Sequence, residues 1–119
     1  MEIKVNDYVR IKNGAIRKII KINEGKEKTI FGKYRLDKPY NNCFSVAQNK
    51  IVKHSNNIID LIEKNDYVNG KLVSNVDEID NKTIIEWEDG DMYSTEIEND
   101  NFIKSIVTKE QFSSLEYII

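Results

Sequence analysis

Asn6-Asp7-Tyr8-Val9, NDYV in one-letter code, is spelled again as Asn65-Asp66-Tyr67-Val68, and the two copies start 59 residues apart in a chain of 119. A word repeated at half the chain length points to an internal duplication. With Asn6 set on Asn65, Ile3 falls on Ile62. Asn13-Gly14-Ala15-Ile16 then falls on Asn69-Gly70-Lys71-Leu72, after a spacing three residues longer in the first copy. Further along, Lys28-Thr29-Ile30-Phe31 aligns with Lys82-Thr83-Ile84-Ile85. Ile51-Val52 followed by Ile59-Asp60-Leu61-Ile62 aligns with Ile106-Val107 followed by Leu115-Glu116-Tyr117-Ile118. Matched blocks in one order predict tandem lobes over 1–63 and 64–119. No Pro- or Gly-rich linker parts them, because Ile62-Glu63-Lys64 runs straight into the second NDYV.

Within each copy the period is that of strands. Tyr8-Val9-Arg10-Ile11 and Ile20-Lys21-Ile22 alternate. Asn13-Gly14 between them signals a two-residue hairpin turn, whose central positions both need positive φ. Residues 28–36 read as a third strand, 44–47 as a fourth after a loop over 37–42, and 51–53 as a fifth after a tight turn. Residues 55–61 suit one helical turn. In the second copy Asp89-Gly90 joins strands over 83–88 and 91–97, and Thr108-Lys109-Glu110-Gln111 has the form of a capping box. About five short strands and a single helical turn per copy predict an all-β chain of two tandem SH3-like small barrels, a fold that removes exposed sheet edges.

Composition sets outer bounds. With 39% hydrophobic and 32% charged residues the chain belongs with folded globular proteins rather than disordered ones. Cys43 is alone and forms no internal disulfide, and no run of about 18 apolar residues offers a membrane span. The start, Met-Glu-Ile-Lys-Val-Asn, lacks the apolar stretch of a signal peptide. A soluble cytoplasmic protein is expected.

The phrases NDYVRIKNGAIRKI, IVKHSNNIIDLIE followed at once by NDYVNG, and IKSIVTKEQFSSLEYI resemble small hypothetical proteins encoded by phages and prophages of low-GC Gram-positive bacteria. The resemblance covers most of the chain. It implies a phage accessory protein acting in the host cytoplasm, a class that includes inhibitors of bacterial defence such as anti-CRISPR proteins. These phrases carry no known chemistry, so the resemblance assigns no site residue.

Charge gives the one functional signal that stands without the resemblance. Residues 1–63 hold 13 Lys and Arg against 7 Asp and Glu, a balance of +6; residues 64–119 hold 5 against 13, a balance of −8. Segregated charge steers oppositely charged partners. A two-residue turn at Asp89-Gly90 sets Glu88 opposite Asp91, Glu86 opposite Tyr93 and Trp87 opposite Met92, so that two carboxylates face each other at a cost a basic surface would relieve. The expected partner-binding residues are therefore Glu86, Trp87, Glu88, Asp89, Asp91 and Tyr93, with a basic surface of a host or phage protein as partner. The bland reading is an acidic, solvated hairpin that protects a sheet edge, with Trp87 packed in the core. The alternative function is nucleic-acid binding by the basic lobe through Arg17, Lys18, Lys21, Lys33, Arg35 and Tyr34, though a sequence pI near 5.5 argues against a dedicated DNA binder. A small signalling nucleotide held in a groove between the lobes is a third class.

Catalysis is not expected. His54, the single histidine, reads as a structural imidazole, and Cys43 has no activating neighbour in sequence. No paired cysteines or second histidine offer a zinc site, no calcium-loop spacing is present, and the glycines are scattered. The expectation is a non-enzyme without metal or cofactor.

Overall fold

The computed structural model describes residues 2–40, 42–94 and 103–114, the last three as backbone only. The chain divides into two units, Met1–Leu61 and Ile62–Ile119. In the first, strands β1 (Tyr8–Ile11) and β2 (Ile16–Ile22) are followed by helix α1 (Gly25–Phe31), then β3 (Tyr34–Tyr40), β4 (Cys43–Val46) and β5 (Ile51–Ser55), with 3₁₀ turns at Gln48–Lys50 and Ile58–Leu61. In the second, β6 (Tyr67–Val68), β7 (Lys71–Ile79), β8 (Lys82–Trp87), β9 (Met92–Ser94) and β10 (Ile106–Val107) precede helix α2 (Lys109–Ser114). Strand dominates, and each unit is one antiparallel five-stranded sheet. The orders β4-β3-β2-β1-β5 and β10-β6-β7-β8-β9 are the same order, with the first strand of each unit between its second and fifth.

The repeated Asn-Asp pair makes one turn twice. Asn6 and Asn65 both have φ of 76°, the left-handed region that asparagine tolerates better than most residues. Asn6 N–H donates to Ile19 O at 2.8 Å and Ile19 N–H to Asp7 O at 2.8 Å. The second unit repeats this with Asn65 N–H to Val73 O at 2.9 Å and Val73 N–H to Asp66 O at 2.8 Å. Each Asp carboxylate also accepts the N–H three residues back, Lys4 to Asp7 at 3.0 Å and Glu63 to Asp66 at 2.8 Å. The motif thus locks the entrance of the first strand onto the middle of the second. Val9 and Val68 are both buried, as are Ile3 and Ile62, the residues aligned with each other in the two copies.

The same locking point bends the second strand. β2 pairs with β1 through residues 16–18 and with β3 through residues 19–22, with a register shift between Ile19 and Lys21. β7 pairs with β6 through Lys71 and Leu72 and with β8 from Val73 onward, with a shift between Val73 and Asn75. Around the bend the first unit buries Val9, Ile11, Ile19, Tyr34, Leu36 and Val46; the second buries Val68, Val73, Ile85, Trp87 and Tyr93.

Three local expectations are corrected. Residues 28–31 are not strand: Lys26, Glu27 and Lys28 favour helix, Thr29 Oγ1 donates back to Gly25 O, and Gly32 (φ 106°) ends the helix. Lys28-Thr29-Ile30-Phe31 therefore has no structural equivalence to Lys82-Thr83-Ile84-Ile85; the strand in the place of β8 is β3. Residues 37–40 are strand rather than loop, since Asp37 accepts Lys18 N–H at 2.9 Å and the Pro39 carbonyl accepts Arg17. Asn13-Gly14 is not a two-residue turn, because only Gly14 is left-handed (φ 90°); the loop spans residues 12–14, closed by Gly14 N–H to Ile11 O at 2.7 Å. Asn69-Gly70, with φ of 53° and 80° between the paired Val68 and Lys71, is the two-residue form.

Helix α2 is capped as its sequence predicts: Gln111 N–H donates to Thr108 Oγ1 and Thr108 N–H to Gln111 Oε1, at 3.4 and 3.3 Å. Asp66 Oδ1 adds a third tie by accepting Lys109 N–H at 2.9 Å. Asp66, fully buried, thus serves two backbone donors. Asp66→Ala is expected to destabilise the second unit by roughly 2–4 kcal/mol, since it strands two part-buried donors. The fluorescence of Trp87, the single tryptophan, reports on this unit in a urea titration of the intact chain. A transition midpoint unchanged from wild type would refute this role for Asp66.

Candidate functional site

The β8–β9 hairpin carries the residues expected to meet a basic partner, and its register differs from expectation by one. Ile85 faces Tyr93 and Glu86 faces Met92. Trp87 N–H donates to Asp91 O at 2.9 Å and Gly90 N–H to Trp87 O at 3.0 Å, so the loop holds three residues, Glu88, Asp89 and Gly90. Gly90 alone is left-handed (φ 94°), because aspartate here keeps an ordinary φ and a two-residue turn needs both. Glu88 consequently lies in the loop and does not oppose Asp91, which removes the facing carboxylates. Trp87 and Tyr93 are buried, so they support the hairpin from beneath rather than present a contact surface.

A lysine that sequence reading passed over organises this turn. Lys71 Nζ lies 2.7 Å from Asp89 Oδ2 and 2.6 Å from Asp91 Oδ2, and 5.4 Å from the centre of the Trp87 ring. Hydrogen bonding from Lys71, then from the Asp91 backbone N–H, holds the Asp89 carboxyl below its ordinary range. Asp89 and Asp91 in turn raise the Lys71 ammonium. Asp89 and Asp91 are therefore engaged by Lys71 at the start of β7. Glu86 and Glu88 are exposed and have no ion-pair or hydrogen-bond partner for their carboxylates among the described residues. Glu96, Glu98 and Asp100, the next acidic residues along the chain, lie outside the described residues.

The alternative set in the first unit is dispersed. Arg17 is tied to the Pro39 carbonyl through Nε and Nη2 at 3.1 and 2.9 Å, and Lys18 lies over the Tyr8 ring. Lys33 lies over the Tyr34 ring, and Tyr34 is only 2% exposed, which excludes it as a stacking platform. Lys21 and Arg35 are brought together, as a directly opposed pair on β2 and β3. They line a cavity of about 510 Å³ whose other walls come from α1 and β4.

Asn23 builds the floor of that cavity. Its backbone N–H donates to Lys33 O at 2.7 Å, and its Nδ2 donates to Gly32 O and to Ser45 Oγ, each at 3.0 Å. One buried amide therefore pins both stems of the α1 excursion to β4. Gly32 is required there: a Cβ would stand 2.6 Å from the Val46 carbonyl carbon. Neither residue carried a motif. Their only sequence signal was a lone Asn and a lone Gly flanking a short charged run.

His54 and Cys43 are parted by the sheet order, since they sit on the edge strands β5 and β4. His54 Nδ1 lies 3.5 Å from Asp7 Oδ2, beside the first Asn-Asp turn. No helix among the described residues is long and apolar enough to cross a membrane. No family model, curated protein or solved structure matches the chain.

The Lys71 clamp has a signed pH consequence. A carboxyl whose folded pKa is lowered adds stability above its unfolded pKa, about 3.9 for aspartate, and loses it as pH falls through the lowered folded value. Lys71→Met is expected to move the Asp89 carboxyl titration upward, read by side-chain ¹³C NMR. An Asp89 midpoint insensitive to this substitution contradicts the clamp.

Proposed function

We propose that the protein is a non-enzymatic binding protein that occupies a basic surface of another protein through the acidic hairpin of its second unit. Each unit in this reading is a small SH3-like barrel; the shared strand order and the bent second strand support it. The observation that carries the reading is the pairing pattern of the hairpin. Of its described carboxylates, Asp89 and Asp91 are satisfied by Lys71, while Glu86 and Glu88 stand exposed and without a partner among the described residues.

Their placement suits recognition. Glu86 stands exposed near the end of β8, and Glu88 follows two residues later, exposed in the loop. Met92, 63% exposed, lies directly across from Glu86, and Asn75 flanks it on the other side. A flexible apolar side chain beside the Glu86 carboxylate offers an apolar contact next to charge-assisted hydrogen bonds to Arg or Lys. Such a basic face is how proteins hold nucleic acid, so its occupation blocks that binding. With the resemblance to phage accessory proteins, this gives an inhibitor of a host defence protein of the anti-CRISPR kind.

The test reverses only the unpartnered charges. Glu86→Lys with Glu88→Lys is expected to leave the far-UV circular dichroism unchanged. It should also abolish capture, from a low-GC Gram-positive host lysate, of proteins that duplex or single-stranded DNA displaces from the wild type. DNA-displaceable capture that survives the double reversal contradicts the proposal.

A further inference from the structure

The two units share a strand order and differ between their second and third strands. In the second unit β7 turns into β8 through Asp80-Asn81, both left-handed (φ 53° and 65°). In the first unit β2 leads into α1 before β3 begins. That insertion makes one wall of the 510 Å³ cavity, with Glu27 and Phe31 on its rim.

Three observations define what the cavity suits. First, Lys21 and Arg35 are opposed across β2 and β3, and like charges in that position repel. Glu27 compensates Lys21 at 3.4 Å. The Arg35 side chain is exposed and has no ion-pair or hydrogen-bond partner among the described residues. Second, Phe31 and Phe44, from α1 and β4, line the same cavity and are 61% and 52% exposed. Aromatic side chains left this open cost hydrophobic stabilisation in the free protein and offer stacking faces. Third, Ser45, on β4 directly opposite Arg35 of β3, lines the cavity, and its oxygen accepts from Asn23, which leaves its own O–H as a donor.

We propose that this cavity is a nucleotide-binding site. In it Arg35, supported by Lys21, takes the phosphate; Phe31 and Phe44 take the base by stacking; and Ser45 donates a hydrogen bond. Guanidinium geometry matches phosphate oxygens in a bidentate way, and aromatic stacking serves any base. The volume lies within the usual range for small-molecule sites, about 300–1,000 Å³. The chemistry is shared by a free mononucleotide and by one nucleotide of a single strand. This site uses none of the acidic hairpin residues, so it stands or falls independently of the proposed partner surface.

Isothermal titration of the intact chain separates the outcomes. The probes are AMP, GMP, CMP and UMP, a single-stranded oligodeoxythymidine, and inorganic phosphate. The expected result is binding of at least one mononucleotide or of the strand at least tenfold tighter than phosphate. Arg35→Gln and Phe44→Ala, both at exposed positions, are each expected to weaken it by about tenfold or more. Mononucleotide binding identifies a small ligand; strand binding alone, weakening steeply with salt, identifies a nucleic acid. Millimolar or weaker binding of every nucleotide probe overturns the proposal. So does affinity that neither substitution changes in a protein of unaltered circular dichroism.

Discussion

The structure depends on one backbone constraint made twice: a left-handed asparagine followed by an aspartate whose carbonyl accepts from, and whose predecessor donates to, the same residue of the second strand. Asn6 and Asp7 hold Ile19 in this way, and Asn65 and Asp66 hold Val73. Because the contact falls just where the second strand changes partners, it fixes the bend that lets β2 and β7 each serve two neighbours. The core then follows, with the motif valine driven inward in both units.

Once the scaffold is held this way, the copies can differ elsewhere. The Asp7 carboxylate faces His54, whereas Asp66, at the same point of the turn, accepts the backbone N–H of Lys109 at the start of α2. Between the second and third strands one unit turns in two residues and the other inserts a helix, with Asn23 and Gly32 closing its base. The electrostatic divergence of the halves is thus carried on two copies of the same strand order. The proposed functions draw on those divergent parts: an acidic hairpin in one unit and a cationic, aromatic cavity in the other.

Much of the scaffold was legible because it is written in short-range chemistry. The repeated NDYV turn, the strand over Tyr8–Ile11 and the Thr108-Gln111 cap are each found; the inward-outward alternation of Tyr8–Ile11 is not, because Arg10 is buried with its guanidinium donating to Leu61 O. What was illegible depends on tertiary choice. Lys28–Phe31 matched a strand of the other copy letter for letter in three of four positions or in kind, yet it follows the helical preference of Lys26 to Lys28. The Asp89-Gly90 pair allows a two- or a three-residue loop, and the single-residue difference displaces every cross-strand partner. Burial of Trp87 and Tyr93 settles it in favour of the longer loop, since Ile85 and Tyr93 then pair on the inner side. Lys71, Asn23 and Phe44 went unmarked because their partners are distant in sequence.

Native-state amide hydrogen exchange on the intact chain tests the duplicated constraint most directly. The account predicts that the N–H groups of Asn6 and Ile19 in one unit, and of Asn65 and Val73 in the other, are protected to the level of the core strands around them. Exchange of either pair at the rate of solvent-exposed turn amides, with the surrounding strands still protected, contradicts it.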